Sequence, residues 1–414
     1  MIENFDNKLK QYADVVVKVG LNLQPGQRLI LNAPIEQRQL VQYIAEKAYQ
    51  NGARFVEVLW SDDALTLARY QYAPRDSFSE VPTWRYEARR QFAEAGDATL
   101  YLLSNNPMLL ENQDPELVDE QQQAAMKASK PFSDLITRNA TNWCVISAPF
   151  PGWNTQVFPL ATNNEEAEEA MWRNLFQLCR LDQPDPVAAW KNHIRDLDKR
   201  AAYLNDKRYD RLEYKAPGTD LSIGLPQGQC WFSATAESAN GIEFVANLPT
   251  EEVFTMPHRD RVNGYVSSTK PLSMGGQTME NFTLTFENGR VVKATAEKGE
   301  VQLLQLLETD EGSRYLGEVA LVPHSSPISQ SGLVFNNGLI DENAACHLAL
   351  GSAYKFTLEN GTSMSDDAFA AAGGNISHLH MDFMIGSGEL DIDGVTESGA
   401  VEPVMRHGEW AFDA

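Results

Sequence analysis

The sequence predicts an α/β N-terminal domain built on a mainly parallel sheet, followed by an α+β C-terminal domain rich in antiparallel sheet. Two observations carry this. In the first half, short apolar runs alternate with longer segments of helical periodicity, the pattern of βαβ units. Near residue 210 the pattern changes to short alternating runs broken by Gly and Pro, including an Asn-Gly pair between two such runs, a strong hairpin signal. At roughly 100–200 residues per domain, a chain of 414 residues holds two or three domains. The change of pattern divides it into residues 1–207 and 208–414.

The elements follow in order. Residues 3–19 form an amphipathic helix ending near Gly20, and residues 27–34 ("QRLILNAP") form a strand. Apolar residues at helical spacing fill "IEQRQLVQYIAEKAYQNGA", which stops at Gly52. Strand 54–61, helix 80–96, strand 98–104, helix 115–136 and strand 142–149 continue the alternation. Helices at 165–181 and 185–207 close the first half. Beyond it, "RLEYKAPGTDLSIGLPQG", "GQCWFSATAES" and "GIEFVANLP" read as short strands, and "NFTLTFENGRVVKATAEKG" as a hairpin. "VQLLQLLETDEGSRYLGEVALV" returns to helix and then strand, and "KFTLENGTS" and "HLHMDFMIG" are further strands.

Composition narrows the function. Net charge is −23, a surface that repels phosphate backbones, so nucleic acid and anionic membranes are poor partners. That charge serves solubility, or some of the carboxylates gather around divalent cations. Four cysteines lie far apart with no CxxC pair, which fits a reducing compartment. The N-terminal helix has no signal-peptide h-region, and no apolar run approaches the ~20 residues of a membrane span. A cytoplasmic protein is expected.

Several catalytic signatures are missing: HExxH, the GxSxG elbow and GxxxxGK[ST]. The first strand–helix turn, "NAPIEQ", has no glycine to cradle a phosphate, which argues against a nucleotide enzyme.

The second half holds the informative polar residues. In "HLHMDFMIG", His378, His380 and Asp382 recur at every second residue, so on a strand they share one face while Met381 and Phe383 point the other way. "DENAACHLALGSAY" (341–354) surrounds small apolar residues with Asp341, Glu342, His347 and Tyr354. Its middle reads as a short helix, capped by Asp341 or Asn343 and ended by Gly351. Glu251 and Glu252 precede Val253-Phe254-Thr255, and Glu318 sits in "LGEVALV". An acid beside an apolar strand costs desolvation unless it is paired or metal-bound. For each group alone, a cap, a core histidine or a solvated edge is the plainer account. Together, carboxylate and imidazole without thiolate make the donor mix of a catalytic Zn, Co or Mn site. Arg259, Asp260 and Arg261 read as structural ion pairs.

"LPTEEVFTMPHRDRVNGYV", "YLGEVALVP", "LIDENAACHLALGSAY" and "HMDFMIGS" resemble the thermophilic-type aminopeptidases, the metallopeptidase family of aminopeptidases T, S and II. The resemblance runs over essentially the whole chain, with the four blocks in order. It implies two divalent metal ions per chain (Zn, Co, Mn or Mg). The ligands it implies are Glu252, Glu318, His347, His380 and Asp382, with Glu318 bridging. The H-x-D spacing favours His380 over His378. Glu342 is a further ligand or a support to one. Tyr354 is the phenol near the reacting carbonyl, and Glu251 or Glu318 handles the proton. It implies a homodimer acting on short peptides with a free N-terminus, with the first domain limiting access. Alternatives are a metal-dependent hydrolase of another amide or an ester, and a protein that binds divalent cations without catalysis.

Overall fold

The structure is a computed structural model, and it describes residues 2–274 and 277–413. The chain divides into two compact units. The first comprises Met1–His193 and Thr235–Pro249; the second comprises Ile194–Ala234 and Thr250–Ala414. The first crossing falls at 193/194, inside the helix Pro186–Lys207, and the chain then returns to the first unit for the fifteen residues Thr235–Pro249. There Asn247–Leu248 pairs in parallel with Val145 and Ile146.

The first unit holds a parallel sheet of five strands, in the order Phe55–Ser61, Arg28–Pro34, Ala98–Leu103, Trp143–Ser147 and Asn247–Leu248. The strands between the edges are apolar runs buried on both faces; Leu29, Ile30, Leu31, Leu100 and Ile146 are wholly buried. Helices Phe5–Val15, Arg38–Gln50, Thr83–Glu94, Pro115–Thr137 and Asn164–Leu178 match the sequence reading. Two shorter helices, Asp63–Tyr72 and Pro151–Val157, were not expected. Asp62 caps the first of these, accepting from the Ala64 and Leu65 N–H groups.

The second unit is dominated by antiparallel sheet. An eight-stranded sheet runs in the order Arg290–Thr295, Thr283–Glu287, Val262–Ser267, Thr219–Gly224, Arg211–Ala216, Asp391–Val395, Val401–Arg406 and Glu409–Trp410. The expected hairpin is its first pair, and Asn288 and Gly289 both take positive φ (48° and 82°) at the turn. A second sheet has four strands in the order Val253–Thr255, Leu316–Leu321, His347–Gly351 and His380–Met384.

Two expectations are corrected here. The middle of "DENAACHLALGSAY" is a strand, His347–Gly351, preceded by a short helix Gly338–Asp341 and a single 3-10 turn Glu342–Ala344. Gly351 therefore ends a strand, and Tyr354 shares no helix face with His347. All five strand residues are buried, so the run shows no alternation and mimics a buried helix. "KFTLENGTS" is likewise no strand but two 3-10 turns, Lys355–Thr357 and Gly361–Ser363, separated by Asn360 in the left-handed region at φ 59°.

Candidate metal centre

The four-stranded sheet sorts its residues by alternation. Val319, Leu348, Leu350, Met381 and Phe383 occupy one face and are buried in the core. The other face carries Glu318, His347, His380 and Asp382. Across the strands, Glu318 is opposite Ala349, Ala349 is opposite Asp382, and Gly351 is opposite His380. Phe254, opposite Ala320, belongs to the same face. Glu252, two residues before Phe254, follows the same alternation.

Two glycines allow this arrangement. Gly317 lies at the register shift between Leu316 and Glu318, and a Cβ there would come within 2.4 Å of the Gly351 and Ser352 carbonyl oxygens. Gly351 has φ +102°, and a Cβ on it would meet the Leu379 carbonyl oxygen at 2.1 Å.

The donor atoms converge in two groups that share one residue. Glu252, Glu318 and His347 form the first; Glu318, His380 and Asp382 form the second. His347 Nε2 lies 3.3 Å from Glu252 Oε2 and 3.5 Å from Glu318 Oε1. His380 Nε2 lies 3.6 Å from Glu318 Oε2 and 3.5 Å from Asp382 Oδ1. Each oxygen of Glu318 thus faces a different imidazole.

Both imidazoles are oriented from behind. His347 Nδ1 is 3.1 Å from the Ala345 carbonyl oxygen, and His380 Nδ1 is 2.8 Å from that of Ser352. A carbonyl oxygen only accepts, so each Nδ1 carries a proton, and Nε2, which faces the carboxylates, is the nitrogen left to exchange a proton for a metal ion. This is the usual preparation of a metal-ligating histidine.

The segment entering the His380 strand is pinned too. Asp310 accepts from the His378 N–H (2.6 Å), the Ser377 hydroxyl (2.7 Å) and the Ser313 N–H (2.9 Å). Burial works to raise its carboxyl, but these bonds hold it down at about 2. Asn375, wholly buried, donates from Nδ2 to the carbonyls of Gly351 (2.6 Å) and Gly312 (2.8 Å).

The electrostatics are those of crowded, buried acids. Burial pushes the Glu318 carboxyl up to about 7; the His347 contact opposes this, and Asp382 and Glu252 add to it. Burial and the Glu252 and Asp382 charges push Glu342 well above the carboxylate range. The imidazoles respond in the opposite sense. Burial works against the charged form of both, yet Glu252 and Glu318 raise His347 well above its ordinary value, and Asp382 and Glu318 raise His380 to about 9. Burial likewise works to raise Asp382, but the His380 contact leaves it lowered. Within the donor groups, Glu252 Oε2 and Asp382 Oδ1, the atoms that face His347 and His380, are buried and accept no hydrogen bond. Oxygen and imidazole donors, carboxylate oxygens without hydrogen bonds and Nε2 atoms aimed at them make a donor set that fits a divalent cation.

The remaining sequence candidates take these places. Tyr354 is 39% exposed, and its ring lies 4.8 Å from that of His380. Its surroundings, and then Glu318 and Asp382, raise its hydroxyl pKa. Glu251 is buried but belongs to neither donor group; its charge reaches Arg200 instead. Its backbone N–H donates to the side chain of the buried Asn343 (2.7 Å), which fixes the turn into Glu252. His378 is exposed and outside both groups. Arg261 pairs with Asp210 at 2.7 Å and Arg259 with Glu311 at 3.2 Å, as ion pairs. Sequence reasoning missed Ala345 and Ser352, which act through their carbonyls, and Asp310 and Asn375, whose side chains hold backbone groups of neighbouring segments; none of them leaves a motif.

The family profile described as thermophilic metalloprotease (M29) matches residues 5–410. The chain belongs to this metalloprotease family. Among similar proteins, "Aminopeptidase AmpS" of Bacillus subtilis is 47% identical, over 99% of this chain and 100% of that one. "Aminopeptidase 2" of Geobacillus stearothermophilus is 46% identical over the full length of both. The solved structure of wild-type AmpT from Thermus thermophilus superposes with a TM-score of 0.92 at 43% identity, covering 99% of this chain and 100% of that chain. Among the described residues, the two donor groups sharing Glu318 are the groups that could hold the metal ion a metalloprotease requires. Among the described residues, no helix is long and apolar enough to cross a membrane.

Proposed function

We propose that this metallopeptidase is a metal-dependent aminopeptidase that releases N-terminal residues from short peptides at two divalent cations. The observation that carries the reading is Glu318, whose two oxygens each face a different histidine and which is shared by two donor groups, one with Glu252 and the other with Asp382. Glu252 and His347 would hold one ion, His380 and Asp382 the other, with Glu318 shared. Relatives named aminopeptidase at 41–47% identity over nearly the whole chain support the choice of bond. Zinc, cobalt, manganese and magnesium are all compatible with the donor set.

Two such ions, when bound, polarise a carbonyl and bring the pKa of a water towards ~7. The protein's own residues do the rest. The Tyr354 hydroxyl, kept protonated, donates to the oxygen of the tetrahedral intermediate; such a donor is worth roughly 2.7–4 kcal/mol. The proton is handled by a carboxyl. Both oxygens of Glu318 face imidazoles and Glu251 belongs to neither donor group, so Glu342, outside both groups yet close enough to feel the charges of Glu252, Asp382 and Glu318, fits this role better. A carboxylate of the cluster receives the substrate's free α-ammonium, which limits cleavage to the first residue. The reading includes a homodimer, on the family resemblance, and a cytoplasmic location, supported by four free cysteines.

The test is direct. Chelated protein should not cleave leucine amide substrates, and cobalt or zinc should restore cleavage. N-acetylated substrate should stay intact. Full turnover after exhaustive chelation would sink the metal mechanism, and cleavage of the acetylated substrate would sink the exopeptidase reading.

A further inference from the structure

The sheet face that carries the donor groups continues into an aromatic surface. Phe254 lies two residues beyond Glu252 on that face, opposite Ala320. Phe232 is held beside it by a reciprocal pair of backbone hydrogen bonds, each 2.9 Å, and so points to the same side. Their rings are 6.3 Å apart. The Phe356 ring meets both edge-on, at 5.1 Å from Phe232 and 6.2 Å from Phe254. Tyr354 stacks on Phe356 at 5.3 Å and touches His380 at 4.8 Å. The rings therefore form one unbroken path outward from a histidine of the metal centre.

These three phenylalanines are not closed into the core. Each is only half-buried, whereas Phe282 and Phe383, which pair behind the same sheet, are 0% and 1% exposed. Half-exposed aromatic faces beside a polar centre are what an apolar side chain of a bound molecule can cover, with loss of water from both surfaces. Aromatic rings meeting edge-to-face also offer a ring the slot it prefers.

We infer that Phe232, Phe254 and Phe356 form the subsite for the side chain of the substrate's N-terminal residue, and that it selects large apolar and aromatic side chains over small and charged ones. This rests on the aminopeptidase reading. The substrate's α-amine is anchored at the carboxylates and its carbonyl lies near Tyr354. The first side chain is the group nearest the path that runs from Tyr354 to Phe356.

The test uses the metal-loaded full-length protein and dipeptides X-Gly, with X as Phe, Leu, Ala, Glu or Lys. Wild type should favour Phe and Leu over Ala, Glu and Lys by ~10–200-fold in kcat/KM, the range an apolar pocket supplies. Phe356→Ala should lower the Phe-to-Ala ratio ~10-fold or more, chiefly through KM. Phe254→Leu, which keeps an apolar side chain and should fold, should lower the Phe-to-Leu ratio by a few fold on the same reasoning. Equal loss on every X would show a merely structural role and overturn the subsite. So would a change confined to the residue preferred at the second position in Leu-X dipeptides. Cleavage by wild type without preference for apolar X overturns the subsite alone, and failure to cleave any free-amine dipeptide overturns the aminopeptidase reading and the subsite with it.

Discussion

Ala349 lies directly across the sheet from Glu318, and its methyl group is all that the central strand places between that carboxylate and Asp382. A larger side chain on this face would stand in the space between the two donor groups. Ala349 is wholly buried, so such a side chain cannot turn away into solvent. Ala349→Leu should cost ~1–3 kcal/mol by overpacking and leave the protein folded. Its metal content after dialysis should fall below that of wild type, with turnover lowered ~10–100-fold or more, the range seen when the surroundings of metal ligands are disturbed. Elemental analysis beside a turnover assay checks this, and undiminished metal content in a folded variant would contradict it.

The chelated protein should lose stability as pH rises. Glu318 is raised to about 7 from 4.5, so between those values the folded chain holds a proton that the unfolded chain has released. That contribution is lost as pH climbs through about 7. His380 is raised from 6.5 to about 9, so its contribution is complete below 6.5 and gone above about 9. Both act in one direction, and Tm in excess chelator should fall from pH 5 to pH 9. Metal binding displaces protons from these ligands, so the difference in Tm between loaded and chelated protein should widen over the same range. Calorimetry in matched buffers measures both. A chelated Tm that climbs from pH 5 to 9 would be inconsistent with buried acids crowding the centre.

Asp310 makes a separate prediction away from the donor atoms. Its folded carboxyl is held at about 2, below the ordinary 3.8, so its contribution is present above 3.8 and lost as pH falls through about 2. Asp310→Ala leaves the His378 N–H and the Ser313 and Ser377 groups without their acceptor. The expected cost at pH 7 is ~1–3 kcal/mol in urea unfolding, shrinking towards pH 2. Because these residues lead into the His380 strand, kcat should fall as well. A loss of the same size at pH 2 and pH 7 would remove the carboxylate from the explanation.

The legible parts of this molecule were those where one face differs from the other. Helices such as Arg38–Gln50 and Asn164–Leu178 bury one stripe and wet the other, and the parallel strands are apolar runs between them. His380 and Asp382 could be placed on one face because Met381 and Phe383 alternate with them. The His347 strand could not, since its polar face is itself interior and each of its five residues is buried. That Glu252 and Glu318 converge with it over long sequence separations was accessible through family resemblance and not through spacing. Asn247–Leu248 is too short to carry any period, yet it draws residues 235–249 into the first unit. The carbonyls of Ala345 and Ser352 that fix the imidazoles belong to the backbone and have no sequence signature.

Glu318→Gln separates what this residue does for metal from what it does for the fold. The amide keeps the shape but loses the charge and one of two accepting oxygens, so it cannot serve both His347 and His380 groups. Metal stoichiometry by titration calorimetry should drop from two ions to one or none, and activity should fall to background. Without metal the effect should reverse. Wild-type Glu318 is a buried acid whose ionisation is disfavoured up to about 7 even with His347 and His380 beside it, so above that pH it carries a net cost that the neutral amide does not. Chelated Glu318→Gln should therefore match wild type near pH 5 and exceed it in Tm at pH 8. A variant less stable than wild type in chelator at pH 8 would mean that Glu318 is held chiefly by hydrogen bonds within the protein, and that the carboxylate is not kept in place for a cation.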